Sequence, residues 1–341
     1  MTAKEQIKKL KFALQGVATY LPPTVSQFLP SHQPQFTGLG VRKNPGPEQV
    51  ARSCYTSWMR TLVASRELGT SLVDSIGHVG EIGPGDTLGV GFAMILSGVK
   101  HYSAFDVVPT VYNFENEAIL EEMITTFKNR TPIPGDEEFP KAFPRLSDYA
   151  FPDDIFPKEK LDELLSDNRL NKIRATLKSL LAGQHSSNQD DIRIDYYAPW
   201  DSASVVKELK NTIDFSVSYA AMEHVDDIRK TYDTLAQIIK KGGYMAHIID
   251  FKSHGTAGVW NGYYAYSDWL WDVVRGRCSY LINREPYSAH VGVIKKFFTI
   301  VGEKKMYANN TLLPSDLSMK FAKLTDDDLT TSSVFVLAQK K

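Results

Sequence analysis

The sequence predicts an α/β fold, a mostly parallel sheet with helices on both faces. Three observations predict it. Short apolar runs bounded by turn residues recur between Gly77 and Ala338. Between them lie segments whose apolar residues repeat every three or four positions. The two kinds alternate, the pattern of parallel strands joined by crossover helices.

The elements follow in order. Lys4 to Leu14 reads as a short basic helix, and the Pro-, Gly-, Ser- and Gln-rich stretch from Pro22 to Pro47 as an irregular arm. Residues 48–67 read as a helix, with Val50, Cys54, Trp58 and Leu62 on one face and Gly69 to end it. Gly77 to Ile82 is the first strand, Thr87 to Ser97 a helix and His101 to Val107 the second strand. Asn116 to Phe127 is a helix carrying Ile119, Leu120, Met123 and Ile124 on one side. Six prolines from Pro132 to Pro157 then break the rhythm. A helix from Asn171 to Leu181 follows, closed by Gly183, so residues 131–190 read as an insertion between the second helix and the third strand.

The rhythm resumes with Ile192 to Tyr197 as strand three and Ile213 to Tyr219 as strand four. Asp226 or Asp227 caps a helix through Ile228, Tyr232, Leu235 and Ile239, which Gly242 closes. Tyr244 to Ile249 is strand five, Ser288 to Phe297 a helix, Phe298 to Val301 a strand and Ser333 to Ala338 the last strand. That makes seven strands.

Composition narrows the function class. The chain has 341 residues, 43% hydrophobic and 23% charged, as in soluble globular proteins, so a sizeable core is expected. A net charge of −1 gives no footprint for nucleic acid. No apolar run approaches the ~20 residues that span a bilayer, and no apolar segment follows the lysine-rich start, so no secretory signal is expected. Cys54 and Cys278 offer neither a disulfide framework nor metal-site spacing. A reduced, cytoplasmic protein is expected.

The most specific local signal is Glu81-Ile-Gly83-Pro-Gly85-Asp-Thr-Leu-Gly89, which follows a strand and opens a helix. Glycines let backbone N–H groups come close to a ligand, and a helix N-terminus adds partial positive charge. A dinucleotide fingerprint needs GxGxxG, but position 88 is Leu and the third glycine comes at 89. Glu81 lies two before the first glycine. A carboxylate there suits the amino group and sulfonium of S-adenosylmethionine; the alternative is a glycine turn without a ligand. Asp106, at the end of strand two, can accept ribose hydroxyls, as in NAD proteins too, or be a surface aspartate.

Glu81-x-Gly83-x-Gly85, Asp106, Asp201 after strand three, the run from Glu223 to Asp227 and Gly242-Gly243 together resemble class I S-adenosylmethionine-dependent methyltransferases over residues 75–305. The chain resembles more closely a bacterial group of methyltransferase-domain proteins associated with surface-glycan and lipopolysaccharide biosynthesis. Tyr55-x-x-Trp58, Gly83 to Gly89, Ala198 to Asp201, His247 to Gly262, Ser267 to Trp271 and Ile282 to Pro286 carry that likeness. The resemblance implies a Rossmann-like class I methyltransferase fold over residues 71–341, after an N-terminal arm and helix over 1–70. It implies that Gly83, Gly85 and Gly89 line the amino-acid end of S-adenosylmethionine, with Glu81 near its ammonium. Asp106 would bind the ribose, and Asp201 or Ser202 the adenine amino group. The insertion, longer than that fold needs, is expected to lid or shape the acceptor site.

Methyl transfer needs an aligned nucleophile and, for a hydroxyl, a proton acceptor. His224 follows strand four; His247, Asp250 and His254 lie at the end of strand five. Both strand ends belong on the carboxyl edge, where ligands bind in open α/β sheets. In methyltransferases acting on sugar hydroxyls, the resemblance makes a histidine after strand four the base and an aspartate after strand five its orienter. His224 comes first as base and His254 second, with Asp250 as orienter; His224 can equally be a capping or packing residue. His247 reads as half-buried in strand five. The spacing of His247, Asp250 and His254 is not a recognised zinc or iron pattern, so no metal is expected.

Residues 251–290 hold Trp260, Tyr263, Tyr264, Tyr266, Trp269 and Trp271, then Asn283, Arg284 and Tyr287. They suit either an acceptor pocket that stacks on a sugar or an amphipathic helix packed on the sheet. On the pocket reading, Trp260, Tyr264, Asn283 and Arg284 bind substrate. Trp269 and Trp271 cannot share one helical face. The expected activity is O-methylation of a sugar or glycan precursor. The open alternatives are another small-molecule or protein acceptor, a catalytically silent cofactor-binding regulator, and an NAD-dependent oxidoreductase.

Overall fold

A computed structural model describes residues 3–22, 45–73, 75–113, 115–184, 191–278, 281–310 and 312–341. The irregular arm expected from Pro22 to Pro47 lies almost wholly outside them, as do residues 185–190 of the insertion.

The elements are α1 (Ala3–Ala18), α2 (Pro47–Glu67), β1 (His78–Ile82), α3 (Gly89–Leu96), β2 (His101–Phe105) and α4 (Asn116–Lys128). Then come α5 (Lys158–Leu164), α6 (Asp167–Leu181), β3 (Arg193–Tyr197), α7 (Ser202–Leu209), β4 (Ile213–Tyr219) and α8 (Ile228–Ile238). The chain finishes with β5 (Ile239–Asp250), α9 (Asp268–Arg275), α10 (Tyr287–Phe297), β6 (Phe298–Tyr307), α11 (Asp326–Thr330) and β7 (Thr331–Lys340). No helix among the described residues is long and apolar enough to cross a membrane.

The strands form one sheet in the order β3-β2-β1-β4-β5-β7-β6. Pairings from β3 through β5 are parallel, and β7 runs antiparallel to both β5 and β6. The Rossmann-like class I methyltransferase fold expected from the sequence is present. The strand order reverses between β1 and β4, which opens a crevice at their carboxyl ends.

Two cores cover the two faces. One packs α2, α3, α4 and α6 through Tyr55, Trp58, Met94, Ile119, Phe127 and Ile173. The other packs α7, α8 and α10 through Val205, Tyr232, Leu235 and Ile294. Local chemistry sets the helix ends. Pro47 opens α2, and Gly69, at φ +85°, follows its end. Asp227 caps α8 by accepting from Lys230 N–H at 3.0 Å.

Two readings are corrected. Gly242 does not close a helix: α8 ends at Ile238, and Gly242, at φ +77°, sits inside β5 where the register with β4 shifts. Strands β6 and β7 run well past their apolar cores, because their polar ends still pair with each other. The described residues of the insertion lie along α2 and the far end of α3, and Glu138 pairs with Arg52 near the start of α2. Buried Arg60 donates to the carbonyls of Pro134, Ala142 and Pro144, and Arg169 donates to those of Ile95 and Val99.

Candidate active site

The site begins with the turn after β1. Gly83 and Gly85 have φ of +70° and +71°, which favours glycine. A Cβ on Gly83 would lie 2.6 Å from the Cβ of Ala221, so this glycine lets the turn press on the end of β4. Gly85 is exposed with no atom within 4 Å of where its Cβ would be. It faces open space at the switch point of the sheet. Gly89 has another role. A Cβ there would meet Cys54 Sγ at 2.6 Å, and its N–H donates to Thr87 Oγ1. The third glycine lets α3 approach α2 and does not line a ligand site.

Asp106 stands one residue beyond β2, and its carboxylate reaches the turn. Oδ2 accepts from Gly85 N–H at 3.2 Å, and Oδ1 from the N–H groups of Val107 and Val108 at 2.7 and 3.2 Å. Thr110 Oγ1 donates to the Gly85 carbonyl at 2.9 Å, so the loop after β2 is fastened to the turn. Desolvation pushes Asp106 above the usual carboxylate range. Asp86, inside the turn, is raised by desolvation and then by Asp106. Glu81 is 2% exposed and accepts from the Tyr102 hydroxyl beneath the turn. Burial pushes it up to about 8, against the Tyr102 bond. Asp86 and Asp106 place two carboxylates at the turn, while buried Glu81 keeps its proton near neutral pH. Asp201, exposed, caps α7 by accepting from Ser204 N–H at 2.8 Å; Ser202 opens that helix. Both sit on the same edge, where Trp200 N–H donates to the Asp106 carbonyl.

The second half of the site lies at the ends of β4 and β5. A short 3-10 turn, Met222–His224, follows β4. Asn283 holds it: its Nδ2 donates to the carbonyls of Met222 and Val225, each at 2.9 Å, and its N–H donates to that of Glu223. Asn283 therefore positions the turn; its amide is not aimed at a substrate. The rings of His224 and His254 are 5.2 Å apart, and His254 Nε2 lies 3.4 Å from Asp250 Oδ2. Burial would raise Asp250, but His254 and Lys252 hold it at about 2. The structure thus brings together the three residues selected as catalytic. It adds Glu223, which is 3% exposed and has no side-chain hydrogen-bond partner among the described residues, only the backbone N–H groups of Glu223 and Asp250 nearby. Burial and then Asp250 raise its pKa. Glu223 stood in the sequence beside His224; only its burial sets it apart. His247, expected to be half-buried, is fully buried and bonded to Ser218 through Nδ1.

The aromatic segment resolves toward packing. Tyr263, Tyr264, Tyr266 and Trp271 join Phe321 and Leu329 in a third core on which Phe12 of α1 packs. Tyr264 is fully buried against Phe321, so it does not bind substrate. Arg284, 4% exposed, donates to the Tyr266 carbonyl and to Asp268 and stacks over Trp271. Its charge is used internally, which removes it from the substrate side as well. Trp260 is half-buried, its Nε1 donating to the Asn309 carbonyl. Trp269 is 74% exposed and Trp271 4%, as their spacing on α9 requires.

No protein-family model and no curated protein matches the chain. Among solved structures it is similar to a Galdieria sulphuraria protein provisionally assigned as a sarcosine dimethylglycine methyltransferase, at 12% identity and TM-score 0.40, over 83% of this chain and 85% of that one. It is similar to phosphoethanolamine N-methyltransferase 2 of Haemonchus contortus, in complex with S-adenosyl-L-methionine, at 11% identity and TM-score 0.38, over 87% and 60%. An S-adenosylmethionine-dependent methyltransferase of Mesorhizobium loti matches at 10% identity and TM-score 0.37, over 86% and 100%. The fold assignment rests on the strand order.

Proposed function

We propose that the chain is a cytoplasmic S-adenosylmethionine-dependent methyltransferase that O-methylates a sugar or glycan precursor. One observation carries the reading. The glycine turn after β1 is joined through Gly85 to Asp106 at the switch point, and Asp86 and Asp106 set acidity beside it. A cofactor with an ammonium and a sulfonium relieves that acidity, whereas the anionic pyrophosphate of NAD aggravates it.

In this reading Gly83 and Gly85 bring the backbone up to the amino-acid end of the cofactor. Glu81 acts through the turn above it. Asp106 accepts from the ribose hydroxyls with lone pairs that its backbone bonds leave over, and Asp201 with Ser202 flanks the adenine. The acceptor enters over His224, His254 and Asp250, beside half-buried Trp260. His224 stands foremost to receive the hydroxyl proton, and Asp250 orients His254. The sugar or glycan acceptor is supported by the sequence resemblance alone; another small molecule or a protein is the alternative within the same chemistry.

Isothermal titration with S-adenosylmethionine, its demethylated product and NADH tests the cofactor. Micromolar binding of the first two, with none of NADH, is expected; the reverse overturns the reading. Methyl transfer to glycan precursors then separates an enzyme from a silent cofactor-binding regulator, which would bind and not turn over.

A further inference from the structure

Glu223, His224 and His254 come from two strand ends, yet one ligand atom from each lies within 4.8 Å of the others. We propose that these three side chains bind one divalent first-row transition-metal ion at the carboxyl ends of β4 and β5.

The donor set is two imidazoles and a carboxylate, which suits zinc, iron, manganese or cobalt rather than magnesium or calcium. Such an ion holds its ligands at about 2.0–2.2 Å, so the donor atoms must close to roughly 3.5 Å apart. His254 has the room to supply that movement, being exposed at the surface of a loop. The other two sit on the short turn that Asn283 clamps.

Glu223 supplies the independent pointer to a ligand. Its carboxyl group is out of solvent and has no side-chain partner among the described residues; the backbone N–H groups of Glu223 and Asp250 lie near it but fall short of hydrogen-bond geometry to either oxygen. A buried polar group is ordinarily satisfied, and one that is not calls for an unseen ion or a role. A cation held with the two histidines satisfies it. Asp250 completes the arrangement from outside. It faces His254 Nε2, which leaves Nδ1 for the metal, and an outer carboxylate behind a ligating histidine is the usual way such a ring is oriented. The ligand set differs from the His247, Asp250 and His254 spacing considered in the sequence, because His247 turns into the sheet.

Three protein ligands leave coordination positions open. On the methyltransferase reading, on which this step of the inference rests, the acceptor hydroxyl occupies one of them. The ion would lower the pKa of that hydroxyl, whose proton would pass to solvent water, and His224 would then assist proton removal through the ion it holds instead of taking the proton itself.

The test uses untagged full-length protein, stripped with EDTA and dialysed, titrated with Co²⁺. One equivalent and a visible ligand-field absorption band are expected, with displacement by Zn²⁺. Glu223→Gln and His254→Ala should each weaken Co²⁺ binding at least about tenfold, and Asp250→Asn roughly 10- to 100-fold. His254 lies on the surface, so His254→Ala keeps the fold, which circular dichroism checks. Binding below one equivalent, or equal affinity in wild type and His254→Ala, overturns the proposal. Titrating the stripped protein with S-adenosylmethionine separates the two readings. Cofactor binding without Co²⁺ uptake leaves the methyltransferase assignment standing; Co²⁺ uptake without cofactor binding leaves the metal site and removes the assignment.

Discussion

The Asp106 carboxylate accepts a hydrogen bond from the Gly85 N–H at 3.2 Å and so ties the end of β2 to the turn after β1. Asp106→Ala removes that tie and leaves the Val107 and Val108 N–H groups without their acceptor. Hydrogen bonds to a charged group contribute about 1.5–3 kcal/mol, so S-adenosylmethionine affinity should fall roughly 10- to 100-fold. Calorimetric titration measures it. An unchanged affinity would take Asp106 out of the cofactor site.

Gly85→Arg and Gly83→Ala separate binding from folding. At Gly85 nothing meets an added Cβ, so only the positive φ is costly, about 1–3 kcal/mol. The long side chain then fills the crevice. A folded protein that no longer binds cofactor is expected. At Gly83 an added methyl collides with Ala221 just beyond β4, so Gly83→Ala should lower the melting temperature as well. Cofactor binding by Gly85→Arg at wild-type affinity sinks the placement of the site.

Glu81 gives the pH dependence a sign. Its carboxyl is raised from 4.5 to about 8 in the folded chain. Below 4.5 it is protonated folded or unfolded and contributes no difference. Between 4.5 and 8 the unfolded chain releases the proton and the folded chain keeps it, so stability falls as pH rises. The loss is on the order of a few kcal/mol, complete above pH 8. Urea unfolding at pH 5 and pH 8 should show this drop in wild type and a smaller one in Glu81→Gln. Equal drops in the two proteins would assign the pH dependence elsewhere. A bound cation opposes the rise, so stabilisation by S-adenosylmethionine should be larger at pH 8 than at pH 5.

Arg284 inverts the expectation drawn from the aromatic segment, and exposed Trp269 is the contrast to it. Arg284→Ala strips the Tyr266 carbonyl of its donor and unstacks Trp271. A stability loss of about 1–3 kcal/mol is expected, with no change in the acceptor KM of the protein that remains folded. Trp269→Ala removes an exposed ring and should leave the unfolding midpoint unchanged. A rise in KM with intact stability in Arg284→Ala would return that residue to the acceptor site.

The fold was legible where one period dominates a segment. All seven strands carry an apolar run, and β4 matches its expected bounds, because a strand buried on both faces shows little else. Short elements escaped: α5 and α7 have seven and eight residues, too few for a period to declare itself. In the turn after β1, the places of Gly83, Gly85 and Asp106 follow from spacing, since one strand–turn–helix unit fixes them. Gly89 could not, because its reason for lacking a side chain is Cys54, 35 positions away in sequence. Arg284 and Glu223 were misjudged or overlooked for a related reason. Whether a charged residue faces solvent, a ligand or a buried carbonyl is decided by segments distant in the chain, here α9 for Arg284 and the end of β5 for Glu223.

His224 and Asn283 divide chemistry from support at the end of β4. His224→Ala removes the imidazole and leaves the Asn283 bonds to Met222 and Val225 in place. Cofactor affinity should stay within about twofold while turnover falls roughly 10²- to 10⁴-fold, the range for losing a group that assists proton removal. Asn283→Ala keeps His224 but frees its turn and leaves two half-buried carbonyls without donors. It should lower both turnover and the unfolding midpoint, and its turnover loss should be smaller than that of His224→Ala. Steady-state kinetics beside urea unfolding distinguish the two. Full turnover in His224→Ala would strike that residue from the reaction, and the carboxyl ends of β4 and β5 would then have to act through His254 and Asp250.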